Sequence, residues 1–243
     1  MNTNIKNRGT ALITGGAKRI GRCIVLKLVE LGYTVAIHYN RSSKEAQQLN
    51  KTILLQGGRS EIFSCDLLNE KNVKKLISKV IQKFPDLNLL INNASIFDRD
   101  SLVNCSVKNF KNHFAIHVQT PFWLSQNFAK ICKKGHIINI LDTNIVKNET
   151  QHFSYLLSKK TLAHLTEMSA VELAPIIRVN AFAPGFILPP VKIQNSNLQR
   201  FNKNIPLAKQ GNTANITDSL EFLIKNDYLT GQILFNDGGA HLL

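Results

Sequence analysis

The chain has 243 residues, 44% of them hydrophobic, enough to bury a sizeable core and within the range of one undivided α/β domain. Thirty Lys and Arg against 16 Asp and Glu give a net charge of +14. The basic residues lie scattered in pairs such as Lys74-Lys75 and Lys133-Lys134, which argues against nucleic-acid binding and leaves attraction to anionic ligands. No apolar run nears the ~20 residues of a membrane helix, and the opening MNTNIKNRGTALITGG lacks a signal-peptide apolar region, so a cytoplasmic protein is expected. The four cysteines (Cys23, Cys65, Cys105, Cys132) are dispersed; buried thiols are expected, with neither disulfide nor metal.

Strand and helix signals alternate along the chain. TALIT (Thr10–Thr14) is a short apolar run stopped by Gly15-Gly16, after which Ile20, Ile24, Leu28 and Leu31 recur at helical spacing until Gly32. TVAIHY predicts a second strand, Ser43–Leu55 a helix, SEIFSC a third strand, and Val73, Leu76, Ile77 and Val80 a third helix ending before Pro85. LNLLINNA is a fourth strand. A helical span over about Val107–Cys132 follows, with Phe110, Phe114, Val118 and Phe122 along one face. HIINIL, IIRVNAFA and GQILF complete seven strands, and Phe153–Leu173 reads as another helix. Continuous apolar strands separated by helices predict a doubly wound, seven-stranded parallel sheet with helices on both faces, a single Rossmann-type domain. The irregular stretch 184–211 has the length of a substrate loop.

Chemistry concentrates at the expected carboxyl ends of the strands. TGGAKRIG (Thr14–Gly21) joins the first strand to the first helix, where backbone amides and the helix N-terminus approach a pyrophosphate. The usual dinucleotide pattern puts glycine where Arg19 stands. HYNRSSKE follows the second strand and lacks the early acid that binds a ribose 2′-hydroxyl. His38, Arg41 and Ser42 instead suit a 2′-phosphate, favouring NADP(H) over NAD. NNAS (Asn92–Ser95) ends the fourth strand. Tyr155 and Lys159 lie one helical turn apart, so the ammonium is expected to lower the phenol's pKa for proton transfer.

Over essentially its full length the chain resembles the short-chain dehydrogenases/reductases, through TGGAKRIG, CDL, NNAS, YLLSK, VNAFAPG and TGQILFNDGG. Within that superfamily it is most similar to the pteridine reductases and the short-chain dihydrofolate or dihydromonapterin reductases. The marks are TGGAKRIGR, HYNRS, NNASIF and Asp142, where most relatives carry serine. The resemblance implies an NADPH-dependent enzyme acting on a pterin or folate, assembled as a homotetramer. Gly15, Arg19, Ile20 and Gly21 would meet the cofactor phosphates, Arg19 also the pterin, and His38, Arg41 and Ser42 the adenosine end with its 2′-phosphate. Asp66 and Leu67 would flank the adenine. Asn93, Ala94 and Ser95 would line the ribose and pyrophosphate, with Ser95 also near substrate. Phe97 would stack on the pterin, Pro184 and Gly185 border the nicotinamide, and Lys159 also hold the nicotinamide ribose. His117 replaces the superfamily's catalytic asparagine and is a candidate proton relay.

Asp142, thirteen residues before Tyr155 in NILDTN, carries the substrate question. A ketone reducer needs a hydroxyl there to hold the carbonyl. Reduction of a pterin C=N bond needs a proton on ring nitrogen, which a carboxyl can deliver, and the ring's own N–H groups suit an ionised carboxylate. Two other readings stay open: Thr143 replaces the serine in a 3-oxoacyl-(acyl-carrier-protein) reductase, or Asp142 merely caps a turn.

Overall fold

In the computed structural model, residues 7–188 and 205–243 are described. The strands are β1 (Thr10–Ile13), β2 (Thr34–Tyr39), β3 (Ser60–Ser64), β4 (Leu87–Asn92), β5 (Gly135–Ile140), β6 (Ile177–Pro184) and β7 (Ile233–Asn236). They form one parallel sheet in the order β3-β2-β1-β4-β5-β6-β7. Successive strand residues point to opposite faces, and here both faces are covered. Ile13, Ile37 and Ile91 pack with α1 (Arg19–Glu30), α2 (Ser43–Leu55) and α7 (Thr213–Lys225). Leu12, Ala36 and Leu90 pack on the other side with α3 (Glu70–Lys83) and α5 (Thr120–Ile131). That double burial is why the strands read as unbroken apolar runs. The order reverses between β1 and β4, which opens a crevice at their carboxyl ends.

The span expected as one long helix is two. α4 (Val107–Phe114) leads into a π turn, Ala115–Gln119, before α5, and the Thr120 amide donates to Ala115 O, five residues back. Pro121 explains the change: it has no amide for the carbonyl of His117, and its ring crowds that carbonyl. The Phe110/Phe122 stripe faces outward and both rings are exposed. His113, Ile116, His117, Thr120, Leu124 and Phe128 face inward. Helix α6 (Phe153–Leu173) has the predicted bounds.

Helix α7 has no counterpart in the sequence reading. Asn212 and Asn215 close a reciprocal capping box at its start, each side chain accepting from the other's amide. Asparagine at both positions hides a motif usually read from Ser or Thr with Glu or Gln. Cys65 and Cys132 are buried as expected, but Cys23 and Cys105 are partly exposed, and all four thiols are free. Among the described residues no helix is long and apolar enough to cross a membrane. Of the expected substrate loop, residues 189–204 lie outside the described residues.

Candidate active site

A cleft of about 500 Å³ opens at the carboxyl edge of β1, β2, β4, β5 and β6. Its floor at one end is the glycine turn, held against β4. The Thr14 hydroxyl accepts from the amides of Asn93 (2.9 Å) and Ala94 (3.0 Å), and Asn93 Nδ2 donates to Thr14 O and Gly15 O. A Cβ on Gly21 would stand 2.2 Å from Gly15 O, so only glycine fits that approach. Asn93 lines the cleft but spends its amide protons on the turn. Arg19, in the position usually glycine, takes a left-handed backbone (φ 50°) and donates to Leu188 O at 3.3 Å. Such strain concentrates at functional sites.

His38 departs from expectation. Its ring is buried: Nδ1 accepts from the Gly15 amide (3.0 Å) and Nε2 lies 2.9 Å from Cys65 O, which fixes the proton on Nε2. Burial lowers its pKa to about 4. The ring is therefore a neutral strut between the glycine turn and β3, and carries no charge for a phosphate. Arg41 and Ser42 supply the polar groups at that end of the cleft, and Arg41 bonds to no other described residue. Leu67 lines the wall. Asp66 does not, and instead binds Asn40 and the Leu68 amide just outside it.

The buried His38 has a measurable consequence. Its folded pKa lies below the usual 6.5, so the unfolded chain binds the extra proton and stability falls as pH drops from about 6.5 toward about 4. Between pH 8 and pH 5 His38 is expected to cost roughly 2 kcal/mol. Thermal melts of His38→Gln, which keeps an acceptor without titrating, are expected to fall less steeply over that range than those of the unaltered protein; parallel curves would remove this account.

At the other end Asp142, Tyr155 and Lys159 meet. The Tyr155 hydroxyl donates to Asp142 Oδ2 at 2.7 Å, and Asp142 Oδ1 accepts from the Asn144 amide at 2.8 Å. One carboxylate thus caps the 3-10 turn Thr143–Val146 and also faces the phenol. Lys159 Nζ donates to Ile140 O at 2.7 Å, and burial brings its pKa down to about 8 against the pull of Asp142. The expected lowering of the Tyr155 pKa is reversed. Burial first, then the Asp142 charge and hydrogen bond, hold it well above 10, so the phenol keeps its proton at rest.

His117 is also committed. Its Nε2 lies 2.9 Å from Ser95 Oγ and accepts from the Ile96 amide (3.3 Å), leaving Nδ1 to donate to Ser158 Oγ at 2.8 Å. Ser158 in turn donates to Tyr155 O. Burial keeps the ring neutral, and neither nitrogen bonds Lys159 or the phenol directly. Thr143 is turned away, its hydroxyl donating to the buried carboxylate of Asp237.

Phe97 stands outside the cleft lining, 59% exposed, edge-on to Tyr155 with centroids 4.7 Å apart. Its face is stacked on His152 at 3.9 Å. His113, fully buried, lies 5.9 Å from the Tyr155 ring. Ser95, Pro184 and Gly185 line the cleft as expected, along with Ile20, Gly21 and Ala94. Lys18, Asn40, Ile96, Ile116, Ile140 and Leu141 line it unforeseen. Their signal was position, since each adjoins a motif at a strand's carboxyl end or on the helical span.

A glycine turn on a parallel sheet with a Tyr/Lys pair at its carboxyl edge defines an oxidoreductase of the short-chain dehydrogenase/reductase family, and the chain belongs to it. Residues 15–241 match the family model described as enoyl-(acyl carrier protein) reductase. The 3-oxoacyl-(acyl-carrier-protein) reductase FabG of Staphylococcus aureus is 30% identical, over 98% of this chain and all of the relative. Among solved structures, the FolM alternative dihydrofolate reductase 1 of Brucella suis, in complex with NADP, is 35% identical with a TM-score of 0.90, covering 97% of this chain and 96% of that one. Its counterpart from Brucella canis, also complexed with NADP, has the same identity and a TM-score of 0.92, covering 97% and 95%.

Proposed function

We propose that the chain is an NADPH-dependent reductase of a pteridine or dihydrofolate-type substrate. The observation that carries the substrate is the Tyr155–Asp142 hydrogen bond in the place where a ketone reducer needs a hydroxyl. The 35% identity to the Brucella dihydrofolate reductases over nearly the whole chain supports it.

The donor set of the cleft fits the cofactor: a glycine turn too tight for any Cβ at Gly21, with Arg19, Arg41 and Ser42 beside it. Gly15, Ile20, Gly21, Ala94 and Ser95 would hold the phosphates and ribose, and Pro184 and Gly185 the nicotinamide end. NADPH supplies a hydride to a ring carbon. Tyr155 stores the proton, Asp142 receives it along their hydrogen bond and delivers it to the adjacent ring nitrogen, and the Lys159 ammonium offsets the tyrosinate left behind. The second Asp142 oxygen is held by the Asn144 amide, which fixes the carboxylate's orientation. Phe97 offers an aromatic surface at the rim for a flat ring. A homotetramer is supported by exposed Phe122 and Met168, which line one groove between α5 and α6.

Arg41→Ala is expected to weaken NADPH binding by about 10- to 100-fold, the loss of one or two charged hydrogen bonds, and to leave NADH binding unchanged. Equal losses for both cofactors in a fluorescence titration would remove Arg41 from the 2′-phosphate.

A second reading, reduction of 3-oxoacyl thioesters, is supported by the 30% identity to FabG. Against it stands Thr143, whose hydroxyl is spent on Asp237. NADPH oxidation with dihydropteridines and dihydrofolate, set beside acetoacetyl thioesters, separates the two. Turnover of the thioester alone would sink the pteridine reading.

A further inference from the structure

The FNDGG stretch near the C-terminus belongs to neither the cofactor contacts nor the proton pair, yet it buries a carboxylate. The Asp237 side chain is 1% exposed. Its Oδ2 accepts from the Thr143 hydroxyl and from the His241 amide at 2.7 Å, its Oδ1 accepts from the Gly239 amide at 2.9 Å, and His241 Nδ1 lies 3.0 Å from both. Burying a carboxylate is costly unless such donors surround it. Three of the four come from the local C-terminal turn. The fourth, Thr143, lies 94 positions away.

Thr143 opens the short 3-10 turn that Asp142 caps. Among the described residues its bond to Asp237 is the only side-chain hydrogen bond from Thr143–Val146 to a distant part of the chain. Neighbouring backbone is fitted to the same point. A Cβ on Gly185, at the cleft rim, would stand 2.6 Å from Asp237 Cβ, and one on Gly238 would stand 2.7 Å from Ile205 Cγ2. The C-terminal turn is therefore the abutment against which the Asp142 turn is braced.

We propose that Asp237 is a positioning residue for the reaction: through Thr143 it fixes the turn that presents Asp142 to Tyr155. This rests on the assignment of Asp142 to proton transfer. Displacing a reacting group by about 1 Å costs about 10²-fold in rate, so the brace acts on kcat and leaves alone the glycine turn and Arg41 at the far end of the cleft.

The test compares Asp237→Asn, Thr143→Val, their double variant, Thr143→Ser and Asp142→Asn. Turnover uses a 7,8-dihydropteridine, or an acetoacetyl thioester should that alone be reduced, and NADPH affinity is read by fluorescence. Asp237→Asn, which turns an amide NH₂ toward donors, and Thr143→Val are each expected to lower kcat by roughly 10- to 100-fold. Their NADPH affinity stays within about twofold, the double variant is no worse than the poorer single because the two act as one unit, and Thr143→Ser, which keeps the hydroxyl, restores kcat. Should Asp237→Asn not fold, Thr143→Val carries the same comparison. Variants that melt lower but keep kcat, or Thr143→Ser as slow as Thr143→Val, would overturn the inference. If Asp142→Asn is itself harmless, the role of Asp142 falls and this inference with it. If Asp142→Asn is crippled while the others are not, the inference alone fails.

Discussion

Tyr155→Phe is expected to lower kcat by about 10²- to 10⁴-fold, the range of a positioned general acid, with NADPH affinity unchanged. Phenylalanine keeps the edge contacts with Phe97, His113 and His117, so the loss is that of one proton-bearing oxygen. The phenol is protonated at rest because burial and the Asp142 carboxylate oppose its ionisation. Asp142→Asn is expected to fall by about 10²-fold, since an amide oxygen still accepts from Tyr155 but cannot carry the proton onward. Single-turnover decay of NADPH absorbance measures both. If Tyr155→Phe keeps more than about a tenth of the rate, the proton comes from elsewhere.

Gly21→Ala is the second large effect. The new Cβ would stand 2.2 Å from Gly15 O and 2.8 Å from Asn93 Nδ2. Neither neighbour can retreat: Gly15 O accepts from Asn93 (3.1 Å), and Gly15 itself holds φ at 64°. The turn has to open and α1 to move off the sheet, at about 1–3 kcal/mol of overpacking, and NADPH affinity is expected to drop at least tenfold. Gly57→Ala is the matching control. It strains a left-handed backbone (φ 78°) with nothing within 4 Å, costing about 1–2 kcal/mol while cofactor affinity holds. Equal affinity losses in calorimetric titration would trace the effect to stability alone.

The sheet was legible because double burial leaves strands as plain apolar runs, and the Tyr155/Lys159 spacing survives any tertiary context. Legibility stopped where side chains choose partners. His38 sits in a cofactor motif, yet its nitrogens are spent on Gly15 and Cys65, contacts that exist only once β2 and β3 pair. The same holds for His117, taken up by Ser95, Ile96 and Ser158. The direction of the Tyr155 pKa was hidden because spacing reports the nearby lysine but not burial or the facing aspartate. Helix α7 escaped because its cap uses asparagines. The π turn escaped because Pro121 disturbs only the carbonyl of His117 and leaves the apolar spacing of the span unchanged.

The pairing of β1 with β4 also bears on how the protein is made. During synthesis β1, β2 and β3 emerge first, with β1 an unpaired edge rich in apolar side chains. Its partner lies 77 positions on, as the bond from Thr14 to Ile91 marks. Until β4 arrives with Asn93 and Ala94, the glycine turn is held from one side only, by His38, and the nascent half-sheet is open to pairing with a neighbouring chain. An interior strand of the finished sheet, β1, is thus the exposed margin of the half-made one, and delivery of NNAS ends that exposure and completes the cofactor turn in one event.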